Sequence, residues 1–171
     1  FVSHMGWFLT KAGFRTDRAV IADLMKFPEL RLVDRFDVFV PIALATALFL
    51  LGGWLGEHRP ELGTSAAQLL IWGFFVSTVV LFHATVTINS FAHRFGSRRY
   101  KTRDDSRNNW LLALITFGEG WHNNHHHFPG SARNGFFWWE YDLTFYVLKL
   151  MSVCRLVWDL KSVPPQLKYA R

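Results

Sequence analysis

Cysteine is almost absent from this sequence. Cys154 is the single cysteine among 171 residues, so the chain cannot form an internal disulfide and has no CxxC metal motif. Charged residues are also scarce, at 19% of the sequence against 50% hydrophobic and 17% aromatic residues. This balance lies outside ordinary globular usage and indicates a membrane protein with sizeable polar flanks. The length leaves room for one domain, predicted to cover residues 1–171.

The chain also lacks a basic patch interleaved with exposed aromatic residues, although its net charge is +6. Nucleic-acid binding needs clustered Lys and Arg interleaved with exposed aromatic residues. Here the basic residues flank apolar runs instead. Nucleic acid is therefore not expected as a partner, and a lipid bilayer is.

Two long runs carry no Asp, Glu, Lys or Arg. They are Val38–Gly56 and Ala66–Ile88, and the polar segment Glu57–Ser65 separates them. About 20 residues at 1.5 Å rise cross a hydrocarbon core of roughly 30 Å, so both runs predict transmembrane helices. The alternative is a buried helical hairpin of a soluble protein.

The positions of Lys and Arg predict how these spans are oriented. Six of the 19 precede Val38, Arg59 alone lies in the connecting loop, and the other twelve follow Ile88. Because positive residues favour the cytoplasmic side, both flanks are expected there, with the loop on the opposite side. The prediction is an all-α, multi-pass integral membrane protein with its termini cytoplasmic. A helical cytosolic cap, residues 1–37 and 89–171, would carry a histidine cluster.

That cluster lies within Gly118–Pro129, which reads GEGWHNNHHHFP. His122, His125 and His126 stand at i, i+3 and i+4, so a helix would place them on one face. Neutral imidazole is a good ligand for iron, zinc, copper or nickel. A purification tag would be an uninterrupted terminal run, whereas this cluster is internal and interrupted. The spacing therefore predicts a metal site, with a surface coincidence as the alternative.

A second polar group lies where the second span ends. Thr85, Asn89 and His93 are spaced i, i+4 and i+8 and share one helix face. Polar residues in such positions are costly and usually functional. On spacing alone, a metal ligand and a histidine reaching to the membrane interface are equally compatible with His93. His83 is turned by about 80° from His93 and is not expected in the site.

The remaining segments give three helix predictions. Asp17–Arg35 has the pattern of a short amphipathic helix that ends near Pro28. A helix over Asn109–Ile115 is expected, with Asp104, Asp105 or Ser106 as its N-cap. Leu143–Trp158 predicts a helix along the membrane interface or a core helix of the cap.

The histidine cluster resembles that of a known family, the membrane-bound fatty-acyl-CoA desaturases of the stearoyl-CoA, Δ9 type. The match rests on Gly118–His126 with Phe128 and Pro129, on Ser3–Trp7, and on Asn89–His93. The resemblance implies a di-iron centre that uses O2 to insert a cis double bond into an acyl chain. Unsaturated fatty acid biosynthesis would be its role, and an acyl-CoA its substrate.

The resemblance also assigns roles to individual residues. It implies that His93, His122, His125 and His126 are iron ligands, and that Asn89 holds an iron through a water. His4 and Trp7 are expected near the substrate. The basic segment Arg94–Arg107 is expected to be a solvated cytoplasmic segment, or to neutralise phosphates of coenzyme A or anionic lipid.

Two further histidine boxes that the family requires are absent from these 171 residues. The chain begins at a point that in the family follows the second box, so the resemblance implies the C-terminal part of a longer protein. The isolated chain is then expected to be inactive. Electrons would come from a donor such as cytochrome b5, ferredoxin or a reductase.

Three alternatives stay open at this point. The protein could be a related membrane di-iron hydroxylase or a desaturase of lipid-bound acyl chains. It could also be a non-catalytic membrane protein with a structural zinc site. Finally, it could be an inactive module that assembles with another polypeptide.

Overall fold

The computed structural model describes residue 6 and residues 18–170. Over that part the regular structure is helical, and the extended pairing there is limited to two isolated bridges, Ser97 with Asn108 and Asn108 with Trp121. The predicted all-α class is confirmed. The chain divides into two units, Phe8–Phe82 and Phe1–Trp7 with His83–Arg171.

The first α-helix among residues 18–82, the described part of this unit, differs from the prediction. A 3₁₀ turn at Leu24–Lys26 precedes helix α1, Pro28–Arg35. The prediction that Pro28 ends a helix was wrong, because Pro28 is the first residue of α1. Its missing N–H and fixed φ suit the first helical position, where no intrahelical partner is needed. Every side chain of α1 is exposed.

The two apolar runs form the long helices of the structure. Helix α2 is Phe39–His58, and helix α3 is Ala66–His93. Both are long and apolar enough to cross a bilayer, and only 6% of each apolar window is buried. Helix α3 contains a π-helical stretch, Ile71–Val76, and ends in a 3₁₀ turn, Phe91–His93.

A tight connection joins α2 to the start of α3. Pro60–Leu62 forms a 3₁₀ turn, and Gly63 then takes a left-handed conformation with φ of +58°. The Ser65 hydroxyl accepts a hydrogen bond from Gln68 N and so caps α3. Gly52 is buried at this crossing, where a Cβ would lie 2.6 Å from the Ser65 carbonyl oxygen. Glycine thus permits a backbone approach that a larger residue would block.

The other unit carries four short helices after α3. They are α4, Trp110–Ile115; α5, His122–His127; α6, Leu143–Val153; and α7, Pro165–Lys168. A small apolar core joins Ile88 and Ala92 of α3 to Leu112 of α4. The largest fully buried side chains are polar instead: Ser106, Asn123, Asn124, Glu140 and Asp142.

Two helix boundaries differ from those predicted. The N-cap of α4 is Asn109, whose side chain accepts from Leu111 N and Leu112 N, so the expected caps Asp104, Asp105 and Ser106 were wrong. Helix α6 ends at Val153, five residues before the predicted Trp158. Arg155 adopts a positive φ of 59°, which a continuing helix cannot accommodate.

Candidate metal centre

The histidine box, His122–His127, forms the single short helix α5, and close packing fixes how the chain enters it. Trp121 is buried and precedes α5, and its indole N–H donates to the Tyr141 carbonyl at 2.7 Å. The backbone of Gly120 lies against α4, where a Cβ would collide with the backbone of Asn109 and Ala113. Asn109 N also donates to Gly120 O at 2.8 Å. The start of the box is therefore attached directly to α4.

Three histidines converge at this helix. Nitrogen atoms of His93, His122 and His126 all lie within 4.8 Å of one another. The Nε2 atoms of His93 and His122 are 3.0 Å apart, and the rings of His122 and His126 have centroids separated by 4.3 Å. Residues 29 positions apart in the sequence thus meet with their ring nitrogens facing each other.

His122 is held in the neutral state that metal ligation requires. Burial and, after it, the neighbouring His126, His93 and His125 together lower the pKa of His122 to about 3, although Asp104 acts in the opposite direction. His122 is only 6% exposed. A neutral imidazole keeps a lone pair for a metal at neutral pH.

Asp104 contacts the third histidine of the group. His126 Nδ1 donates a hydrogen bond to Asp104 Oδ2. Although burial raises the pKa of Asp104, hydrogen bonds from Ser106 and His126 outweigh it and hold that pKa well below its usual range. The carboxylate is therefore ionised, so His126 carries its proton on Nδ1 and can offer only Nε2 to a metal.

Two asparagines of the box hold the basic segment Arg94–Arg107 in place. Asn123 Oδ1 accepts from the backbone N of Arg99 and of Tyr100, at 2.9 and 2.8 Å, and its Nδ2 donates to Tyr100 O. Asn124 Oδ1 accepts from Asn108 Nδ2 at 2.7 Å. Both asparagine side chains are fully buried. No local pattern indicates this role, since these three partners lie 16 to 24 positions away in the sequence.

An ion pair between the buried Glu140 and the partly exposed Arg99 completes this network. Glu140 is fully buried, and it pairs with Arg99 and accepts from Asn124 Nδ2 at 2.9 Å. Arg98 is bonded to the carbonyl oxygens of Thr102 and Asp104. Arg99 therefore links the basic segment to the box, whereas Arg94, Arg98, Lys101 and Arg103 are exposed, as expected of a solvated segment.

His125 and Asn89 lie near the three-histidine cluster but are not part of it. The His125 ring centroid is 5.6 Å from that of His126 and 6.0 Å from that of His122. Glu119 is beside it: partial burial raises the pKa of Glu119, His125 lowers it and Asp142 raises it. Asn89 lines a cavity of about 500 Å³ together with His93 and Asp104. His4 and Trp7, expected near the substrate, lie outside the described residues.

His127 has a different environment from the other box histidines. Its ring stacks on Tyr100 with centroids 3.9 Å apart, and its Nε2 bonds with the Leu167 carbonyl at 3.0 Å. His83, which the spacing left out of the site, is likewise not in the three-histidine cluster.

The donor set fits a transition metal. Three imidazoles converge, His122 is neutral, and His126 has an orienting carboxylate, as metal-bound histidines commonly do. Imidazole nitrogen suits iron, zinc, copper and nickel, so the geometry alone does not select one of them. The cluster can therefore hold one metal ion, and a second ion would need further ligands.

Comparison with known proteins indicates which family this metal site belongs to. The sequence model of a family described as fatty acid desaturase matches residues 1–152. An sn-1 stearoyl-lipid 9-desaturase of Synechocystis is 39% identical over 171 residues, covering 96% of this chain and 48% of that protein. An acyl-CoA C20 Delta5-desaturase of Anemone leveillei is 40% identical over 145 residues, covering 85% of this chain and 42% of its own.

A chloroplastic palmitoyl-monogalactosyldiacylglycerol delta-7 desaturase of Arabidopsis thaliana is 37% identical over 163 residues, which cover 93% of this chain and 40% of that protein. The chain thus spans about half the length of the relatives that it matches, or somewhat less. The matched region contains the histidine box and His93. This chain belongs to the fatty acid desaturase family.

Proposed function

We propose that the protein carrying this chain is an O2-dependent fatty acyl desaturase, and that the chain supplies part of its di-iron centre. The observation that carries the proposal is the convergence of His93, His122 and His126 within 4.8 Å. Family membership supports iron as the metal, since the donor set alone would also suit zinc.

The chain's own residues divide between holding the metal and positioning its ligands. His93, His122 and His126 would be direct ligands, and we propose His125 and Asn89, the latter through a water, as further contacts. Iron bound there would supply the O2-dependent oxidation of an unactivated methylene pair, for which no side chain is a sufficient oxidant. Two irons need more ligands than these, so the proposal requires further histidines from elsewhere in the polypeptide.

We further propose that α2 and α3 span a membrane and that both flanks face the cytoplasm. Their exposed apolar surface and the six, one and twelve distribution of Lys and Arg support this topology. Residues 1–37 and 89–171 would then both lie on the cytosolic side, and the desaturase domain would cover the whole chain. Exposed Trp138, Trp139 and Trp158 near α6 support its placement at the membrane interface.

The substrate is a fatty acyl chain, carried either by coenzyme A or by a lipid. An acyl-CoA with a Δ9 product remains our proposal for the finer specificity. Two relatives named as 9-desaturases support a double bond at position 9, although their names give a stearoyl-lipid as the substrate. A relative named as an acyl-CoA desaturase supports the coenzyme A carrier, although its name gives position 5. Arg94, Lys101 and Arg103 are exposed and make no side-chain hydrogen bond or ion pair with the described residues, so their charges are available to a phosphate.

Electrons must reach the metal from a separate donor. The proposal includes a cytochrome b5, a ferredoxin or a reductase in that role. The described residues contain no feature that selects one of the three.

Expression of the full-length protein in a host without its own desaturase tests this function. Gas chromatography of the fatty acids is expected to show a new cis-monounsaturated product, with the double bond located by mass spectrometry. A second assay separates coenzyme A from lipid as the acyl carrier. Membranes receive labelled stearoyl-CoA, and the label is measured in free and in lipid-bound unsaturated products. A hydroxylated product would contradict desaturation, and a protein with bound zinc and no product would favour a structural site.

A further inference from the structure

The carboxylate of Asp104 is held by contacts from both sides. Its Oδ2 accepts from His126 Nδ1, while its Oδ1 accepts from Ser106 N at 2.9 Å and from Thr102 Oγ1 at 3.1 Å. Ser106 is fully buried. Each carboxylate oxygen therefore has its own donor, and the side chain cannot rotate without breaking bonds at one end.

The loop that carries Asp104 is in turn fixed to the histidine box. Asn123 lies one residue after His122, and it binds the backbone at Arg99 and Tyr100, just before Asp104 in the chain. The bridge between Ser97 and Asn108 closes the same loop on its other side. Asn123 of the box thus positions the loop, and the loop places the Asp104 carboxylate against His126.

We infer that Asp104 is a positioning residue: it fixes the tautomer and orientation of His126 so that Nε2 is available to the metal. This inference rests on the proposed metal centre. It assigns to the Arg94–Arg107 segment a role in the site that the resemblance had not given it. Carboxylates in this position raise the basicity of the histidine, and their loss commonly weakens metal binding by about 10- to 100-fold.

Asp104→Asn is the sharpest variant, because an amide has only one oxygen. The backbone N–H of Ser106 requires an acceptor, so the amide oxygen is expected to stay there and the NH2 group to face His126. An NH2 group donates to Nδ1, which moves the ring proton to Nε2 and blocks ligation. Asp104→Glu retains an ionised acceptor and is expected to recover part of the binding.

Asp105→Asn is the matched control. Asp105 is the adjacent carboxylate, its side chain is 81% exposed, and its ion pair is with Arg98 at 3.6 Å. The same change of charge there does not touch a histidine. Co²⁺ affinity of the metal-free full-length protein, measured by competition with a chelator, is the readout, together with the melting temperature of the metal-free protein.

The expected result is a loss of about 10- to 100-fold in Co²⁺ affinity at one site for Asp104→Asn, with partial recovery in Asp104→Glu and no change in Asp105→Asn. The melting temperature without metal should be similar in all three. The inference is overturned if Asp104→Asn binds Co²⁺ as tightly as Asp105→Asn. It is also overturned if Asp104→Asn and Asp104→Glu lose affinity equally and both melt at lower temperature.

A double-mutant cycle with His126→Ala separates positioning from a general structural effect. If Asp104 acts through His126, Asp104→Asn should have little further effect on Co²⁺ affinity once His126 is absent. Equal losses in both backgrounds would contradict the inference. Failure of the unmodified protein to bind Co²⁺ at all would instead reject the proposed metal centre, so the two failures are distinguishable.

Discussion

At the scale of single residues, neighbouring side chains in the box have separate tasks. His122 and His126 face His93, whereas Asn123 and Asn124 are buried in contacts with the 97–108 loop. The spacing predicted that His122 and His126 share a helix face, since helical geometry is local, whereas the meeting with His93 was implied only by the family resemblance. It could not predict the second, because Asn124 meets Asn108, Asn134 and Glu140 across 10 to 16 positions.

His127 tests the division of tasks within the box. At i+5 from His122 it is turned by about 140°, and in the structure it bonds to the Leu167 carbonyl and stacks on Tyr100. In the full-length protein, His127→Ala should keep most activity and iron while lowering stability by about 1–2 kcal/mol. His125→Ala and His126→Ala should abolish activity, as scored by unsaturated fatty acids and bound iron. Equal damage from His127→Ala and His126→Ala would mean that the ligand set is shifted by one residue.

Glu140 tests the buried network behind the box. Glu140 is fully buried and accepts from Asn124 Nδ2 and Phe137 N, whereas its partner Arg99 is 30% exposed. A donor left without its acceptor costs about 1–3 kcal/mol, so Glu140→Ala should destabilise the protein by about 2–4 kcal/mol and reduce bound iron. Glu61→Ala is the control, because its ion pair with Arg59 is mostly exposed and contributes at most about 1 kcal/mol. Thermal unfolding followed by fluorescence measures both. A Glu140→Ala protein as stable as Glu61→Ala would show that the network does not support the site.

At the scale of secondary-structure elements, the long apolar runs were the most predictable part. Helices α2 and α3 begin within one residue of the expected starts, Val38 and Ala66, because long uncharged runs determine them. The boundaries of short helices were not predictable in the same way. Pro28 and Asn109 can each begin or end an element, and only the tertiary contacts decide which.

The crossing of α2 and the start of α3 gives a prediction with an adjacent control. A Cβ at Gly52 would lie within 3.0 Å of Ser65 O and Leu69 Cβ, whereas one at Gly53 would meet only Ala66 Cβ at 3.8 Å. Gly52→Ala should therefore cost about 1–3 kcal/mol, and Gly53→Ala should be tolerated. Size-exclusion chromatography in detergent after heating compares the folded fractions. Equal folded fractions for the two variants would argue against this close approach.

At the scale of the whole molecule, the distribution of Lys and Arg predicts the membrane topology. The loop at Glu57–Ser65 should face away from the cytoplasm, with residues before Val38 and after Ile88 on the cytoplasmic side. Single cysteines introduced at Glu61 and at Lys101, in a Cys154→Ser background, can be labelled with a membrane-impermeant thiol reagent in oriented vesicles. Opposite accessibility is expected. Labelling of both positions from the same side would contradict the two-span topology.

The central claim is that His93, far from the box in sequence, belongs to the same iron centre. Iron quantification of the purified full-length protein tests it most directly, with His83→Ala as a control from the same helix. We expect about two irons per polypeptide in the unmodified protein and in His83→Ala, and a loss of half or more in His93→Ala, because removing a direct ligand weakens the site that it serves. Unchanged iron in His93→Ala, or zinc in place of iron throughout, would contradict the account.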